Sequence, residues 1–232
     1  MKIFAISDFH ISTNSDKPMD IFGGNWVGYL EKIKEDWQSK VSDDDVVLIG
    51  GDTSWAMKLD DAIEDVKILS NLKGKKVLIK GNHDYWWSAI SRVRESLPEG
   101  FFALQNDSIR FDKLIICGSR CWSVPGSPDF GEHDMKLYLR ETERLRLSLK
   151  NAQKDRSESD KLIALVHYPP FNVKREDSLF TQLFEEFKVD AVVYGHLHGK
   201  TVRADKVVVK NGIPYYLTSC DQIDNKLIEI IL

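Results

Sequence analysis

Short apolar runs recur along this chain, and each stops at a glycine or a polar cluster. The runs are Ile3–Ile6, Val46–Ile49, residues 77–79, Leu114–Cys117, residues 162–166 and Ala191–Tyr194. Strands that are apolar along their whole length are usually buried on both faces, as in a parallel sheet covered by other layers. Between several of them lie helical patterns: Leu30, Ile33, Trp37 and Val41; Leu59, Ala62, Ile63, Val66 and Leu69; Phe180, Leu183, Phe184 and Phe187. Alternating strand and helix predicts an α/β layered fold with a largely parallel sheet.

Two stretches read less simply. Residues 132–150 carry the charges of an exposed helix, yet Leu145, Leu147 and Leu149 alternate with period two; the helical reading is adopted. Residues 151–161 are polar and read as a surface loop. The runs 206–209, 214–218 and 227–231 read as short terminal strands, with turns at Asn211-Gly212 and Asp224-Asn225. Grouped on a second sheet, they would make a sandwich. The whole chain, 1–232, reads as one domain without repeats.

Composition narrows the classes. Thirty-six acidic against 32 basic residues give a net charge of −4, so no global basic field draws the chain onto nucleic acid or anionic membrane. No apolar run approaches the ~18–20 residues of a membrane span. A carboxylate at Asp8 comes too early for a signal-peptide apolar region. Three cysteines are too few and odd in number for a disulfide framework, and a cytoplasmic setting is expected.

The chemistry-bearing residues follow the predicted strands. Asp8 and His10 follow the first, Gly50-Gly51-Asp52 the second, Gly81-Asn82-His83-Asp84 the third, His167 the run at 162–166, and Gly195-His196-Leu197-His198 the run Ala191–Tyr194. The carboxyl ends of parallel strands share one edge, where ligands bind, so these side chains are expected to converge. Of six histidines, only His133 lies elsewhere. Carboxylate, imidazole and amide oxygen are ligands for borderline or hard divalent cations: Mn, Fe, Co, Ni or catalytic Zn. Seven potential ligands are more than one ion needs. Taken singly, each block also has an ordinary structural reading as a turn, a cap or a loop.

As an ordered set, the blocks Asp8-Phe9-His10, Gly51-Asp52, Gly81-Asn82-His83-Asp84, His167 and Gly195-His196-Leu197-His198 resemble the calcineurin-like metallophosphoesterase superfamily. The resemblance implies a four-layer αββα sandwich of two mixed sheets flanked by helices. It implies two divalent metal ions, one held by Asp8, His10 and His198, the other by Asn82, His167 and His196, with Asp52 bridging. His83 would face the phosphate as acid or charge stabiliser, with Asp84 orienting its imidazole. The implied reaction is hydrolysis of a phosphoester by a metal-bridging hydroxide. A small phosphorylated substrate, monoester or diester, is the expected partner. A phosphoprotein phosphatase and a non-catalytic metal-binding scaffold are the alternatives. No cluster of bases suggests nucleic acid, and oligomeric state is not legible.

Outside these blocks, Arg120 is a candidate clamp for substrate phosphate, against the commoner fate of a surface salt bridge. Trp55, Tyr85, Trp86 and Trp87 lie near the blocks, but Trp86 and Trp87 point about 100° apart on a helix, so at least one belongs to the core. His133 reads as surface, Cys121 as inert, and the Pro- and Gly-rich stretch 123–131 as a loop over the site or a surface connection.

Overall fold

The computed structural model describes residues 1–13, 19–128, 130–154 and 156–232. Five strands form the first sheet: β1 (Ile3–Ile6), β2 (Val46–Ile49), β3 (Lys75–Ile79), β4 (Phe101–Leu104) and β11 (Ile228–Glu229), in the order β11-β1-β2-β3-β4. Six form the second: β5 (Ser108–Phe111), β6 (Leu114–Cys117), β7 (Lys161–Leu165), β8 (Ala191–Tyr194), β9 (Val207–Lys210) and β10 (Ile213–Leu217), in the order β5-β6-β7-β8-β10-β9. Strands β1 to β4 run parallel, as do β6, β7, β8 and β10. Antiparallel β11, β5 and β9 sit at edges.

The alternation of side chains along each strand builds the layers. Ile3, Ala5, Val46, Leu48, Val77 and Ile79 from one sheet meet Leu114, Ile116, Ile163, Leu165, Ala191 and Val193 from the other in the central core. The opposite faces turn outward. Phe4, Ile6, Val47, Ile49 and Leu78 pack under α1 (Tyr29–Lys40), α2 (Leu59–Lys67) and α3 (Ile90–Ser96). Ile115, Cys117, Leu162, Ala164 and Val192 pack under α4 (Glu132–Gln153) and α5 (Leu179–Glu186). The result is the four-layer αββα arrangement of two mixed sheets.

The expected helices and strands are present, with bounds shifted by up to three residues; α4 runs on to Gln153 and β7 begins at Lys161, so the loop expected over 151–161 is shorter than the sequence suggested. The segment at 132–150 is helical: Leu145 and Leu149, one turn apart, are buried while Leu147 is exposed. One expectation is corrected. The last strand does not join β9 and β10 but crosses to the first sheet, where Ile228 and Glu229 pair with Ala5 and Phe4. Asn211 and Gly212, both at positive φ, close the β9–β10 hairpin. Asp224 and Asn225, also at positive φ, belong instead to the crossing between sheets.

Candidate metal centre

The carboxyl ends of the parallel strands of both sheets meet at one rim, and the motif residues gather there. Asp8, His10, Asp52 and His198 each offer one ligand atom, all within 4.8 Å of one another. His10 Nε2 faces His198 Nε2 at 3.4 Å. Beside this group, Asn82 Oδ1 lies 2.7 Å from His167 Nε2 and 2.8 Å from His196 Nδ1. Asp52 Oδ2 stands between the two groups, 3.8 Å from His10 Nε2 and 3.5 Å from His167 Nε2.

The loops achieve this at a conformational cost. Asp8, His10, Asp52 and His196 all adopt positive φ, a region that costs a non-glycine residue energy and that tends to cluster at functional sites. Glycine is required where backbones cross. A Cβ on Gly81 would overlap Asp52 Oδ1, and one on Gly195 would overlap Ser7 Oγ. The backbone N–H of His196 donates to both oxygens of Asp8, at 3.2 and 3.0 Å, fixing that carboxylate. Ser7 Oγ donates to Asp8 Oδ2 at 2.6 Å.

Asp84 lies beneath the centre, fully buried. Its carboxylate accepts from the backbone N–H groups of Asp52 (2.9 Å), Thr53 (2.9 Å), Ser54 (3.3 Å) and Gly81 (2.7 Å), and from Trp86 Nε1 (2.9 Å). These bonds tie the β2 and β3 loops together. Burial pushes the Asp84 carboxyl upward, while the Gly81 and Ser54 N–H groups and the Trp86 indole pull it back.

The electrostatics suit a cation. Burial holds the imidazoles of His10 and His167 below their ordinary pKa, and burial with the neighbouring His167 and His198 takes His196 down to about 2. Neutral rings keep the lone pairs a metal needs. His167 Nδ1 lies 2.8 Å from the Gly50 carbonyl, a contact that needs its proton. The bare Nε2 then faces Asn82 Oδ1 at 2.7 Å, two acceptors at bonding distance. With the Asn82 amide in this orientation, a cation held between them would satisfy both lone pairs. Asp52 Oδ2 is buried without a hydrogen-bond partner. Burial, then Asp84 and Asp8, push the Asp52 carboxyl well above the usual range, a penalty that a bound cation would reverse.

The calcineurin-like phosphoesterase family model matches residues 1–200. The chain belongs to that family. It is accordingly a phosphoric ester hydrolase of a family that uses divalent metal ions. No curated protein matches it. Among solved structures, a Thermus thermophilus protein aligns with TM-score 0.60 at 14% identity, covering 98% of this chain and 97% of its own. A phosphopantetheinyl hydrolase from Mycobacterium tuberculosis aligns with TM-score 0.59 at 13% identity, covering 99% and 95%. An Aquifex aeolicus protein of unknown function aligns with TM-score 0.53 at 16% identity, covering 98% and 95%. At these identities the likeness is one of fold.

Around this phosphoesterase centre the remaining candidates divide. His83 donates its backbone N–H to Asp52 Oδ1 at 2.7 Å, and its ring lies 4.6 Å from that of Trp55 and 5.5 Å from that of His10. Trp55 stacks on His10 at 4.6 Å and 22°. Trp86 and Trp87 are both buried, while Tyr85 is exposed. Arg120 lies beside the centre: its carbonyl accepts from His167 and Tyr168 N–H, and its guanidinium stacks on Trp122 at 4.7 Å. Its nearest carboxylate, Glu141, is 3.9 Å away. His133 is exposed at the start of α4, and Cys121 is buried with its thiol pushed up by burial.

Two aromatic neighbours escaped the sequence reading. Trp26 packs 6.2 Å from both His10 and His198, and Tyr168 lies over His196 at 4.2 Å. Only the adjacency of Tyr168 to His167 could have signalled the second. A cavity of about 720 Å³ opens alongside Tyr168 and His196, lined also by Phe171, Val202 and Val208. Ser123, Ser127 and Pro128 form part of its wall, so the described residues 123–128 border this cavity. No helix among the described residues is long and apolar enough to cross a membrane.

Proposed function

We propose that residues 1–232 act as one unit that hydrolyses a small phosphomonoester or phosphodiester at two divalent cations. Asp8, His10 and His198 would hold one ion, and Asn82, His167 and His196 the other, with Asp52 shared. The observation that carries this reading is the pair of facing acceptors, His167 Nε2 and Asn82 Oδ1, next to the unpartnered Asp52 Oδ2. When bound, the ions supply Lewis-acid charge and a water of lowered pKa. The donor set of carboxylate, imidazole and amide suits Mn, Fe, Co, Ni or Zn.

The chain's own residues do the rest. Asp84 holds the Asp52 and Gly81 backbones in register. His83 holds a proton for the leaving oxygen, a role worth typically ~10²–10⁴-fold. Arg120 draws the substrate phosphate by charge. The cavity alongside His196 has room for the esterified alcohol, and a relative of the same fold is named a phosphopantetheinyl hydrolase. Three free, buried cysteines are in keeping with a reducing, cytoplasmic setting.

The test is metal content and turnover together. Protein reloaded with Mn²⁺ or another of these ions is expected to hold about two ions per chain and to cleave small aryl mono- or diesters. Asp52→Asn should hold fewer ions and lose activity. Full loading without hydrolysis of any small ester would favour a phosphoprotein phosphatase or a scaffold instead.

A further inference from the structure

A second cavity, of about 330 Å³, opens at the same rim as the candidate centre. Its walls come from the carboxyl ends of three strands: Lys80 after β3, Asn106 after β4, and Arg120 after β6. Helix α4 closes it with Arg140, Glu141 and Arg144. Lys80 directly precedes Gly81 of the candidate centre, and the Arg120 carbonyl holds the backbone of His167. The two sites are therefore neighbours built on shared loops.

The charge in this cavity does not balance. Lys80, Arg120, Arg140 and Arg144 surround one carboxylate, that of Glu141, which is 1% exposed. Glu141 Oε1 lies 2.7 Å from Arg144, 3.2 Å from Arg140 and 3.9 Å from Arg120. The last distance is too long for a hydrogen bond. A structural ion-pair network would match its charges; even with Arg120 given to the substrate phosphate, Lys80, Arg140 and Arg144 against Glu141 leave about two positive charges facing a cleft.

We propose that this cavity is a second anion site, distinct from the metal centre, that takes the phosphate group of a small phosphorylated molecule. Guanidinium N–H groups match phosphate oxygens in paired geometry, and a group carrying about −1.5 to −2 charge suits the excess better than a single carboxylate. The volume stands at the low end of small-molecule pockets, room for a phosphorylated fragment rather than a long chain. The phosphate belongs either to a second position on the substrate or to a free effector. The site stands on its own geometry and does not depend on the roles assigned to the metal-facing residues.

Inorganic phosphate is the probe, titrated calorimetrically into the metal-loaded protein. The Arg140→Gln/Arg144→Gln double variant should lose one phosphate-binding event, or bind it at least ~10-fold more weakly, because two charge-assisted donors to the phosphate are removed. Its metal content and its turnover of phenyl phosphate should stay within about twofold of wild type. The Arg140→Lys/Arg144→Lys variant should keep the event, since charge remains. Should the glutamine pair fail to fold, Arg140→Gln alone leaves Arg144 on Glu141 and should weaken the same event several-fold. A folded glutamine variant that binds phosphate with wild-type stoichiometry and affinity overturns the site. The two sources separate kinetically. A distal substrate phosphate gives wild type, but not the variant, a lower KM for a bisphosphorylated ester than for its monophosphate. A free effector makes inorganic phosphate change kcat on phenyl phosphate in wild type but not in the glutamine variant, over and above its competition as product at the metal centre, which both share.

Discussion

Asp84 accepts the backbone N–H of Asp52 at 2.9 Å, a bond between residues 32 positions apart that locks the end of β2 to the loop after β3. Its two oxygens face five N–H donors, four from the backbone and one from Trp86. Asp84→Asn turns one oxygen into a donor, so at least two buried N–H groups lose their acceptor whichever way the amide lies. Each such orphan costs ~1–3 kcal/mol. The variant should melt roughly 4–8 °C lower, or more, and take up metal more weakly. Melting curves and metal titration check this; an unchanged Tm with unchanged metal affinity would refute the bracing role.

Gly81→Ala tests the close approach of the two loops. The added Cβ would overlap Asp52 Oδ1 and Asp52 N, while Gly81 itself has no positive φ, so backbone strain is not the cause. Overpacking of this kind costs ~1–3 kcal/mol, and here the yielding group is the carboxylate between the two ligand groups. The alanine variant should therefore fold and bind fewer metal ions. Gly100→Ala serves as the control: it changes a positive-φ glycine with nothing within 4 Å, so stability should fall while metal uptake stays unchanged.

The gathering of Asp8, His10, Asp52, Asn82, His167, His196 and His198 was legible because strand ends can be read from apolar runs, and parallel strands bring those ends to one rim. The bracing by Asp84 was not, because its donors are backbone groups that no side-chain pattern reveals. Strands β4 and β5 and helix α3 also escaped notice. Each is short, and β5, Ser-Ile-Arg-Phe, is only partly buried, so no long apolar run marks it. The partner of β11 escaped as well, since two residues carry no register of their own. Arg140 and Arg144 read as surface charges on a helix. Only packing α4 against β5 and β6 brings them to Lys80 and Arg120.

Protonation and metal compete at this site, and the signs can be worked out. In metal-free protein, His10, His167 and His196 have folded pKa values below the ordinary 6.5 of the unfolded chain. Their contribution is complete above about pH 6.5 and is lost as pH falls toward the folded values. Asp52 is opposite: its folded pKa is raised, so between the ordinary carboxylate range and the raised value the native state holds a proton that the unfolded chain has released. Stability from that residue falls as pH rises through the window. Metal-free protein should thus be most stable near pH 6.5, with Tm declining on both sides. Adding Mn²⁺ should remove the alkaline decline, because the cation replaces the Asp52 proton. Thermal melts from pH 5 to 9, with chelator and with Mn²⁺, provide the comparison; parallel curves would count against a cation next to Asp52.

His83 separates proton donation from metal holding. Its backbone N–H, not its ring, bonds Asp52 at 2.7 Å, so a side-chain substitution leaves that bond in place. His83→Gln should keep the metal content of wild type. If the imidazole protonates the leaving oxygen, kcat should fall ~10²–10⁴-fold on alkyl phosphates, whose alkoxide leaves poorly without a proton. The loss should be much smaller on nitrophenyl phosphate, whose phenolate leaves unaided. Equal losses on both substrates would mean that His83 stabilises charge on the phosphate and donates no proton. A loss of metal would instead tie the ring to the ligand set and retire its role as acid.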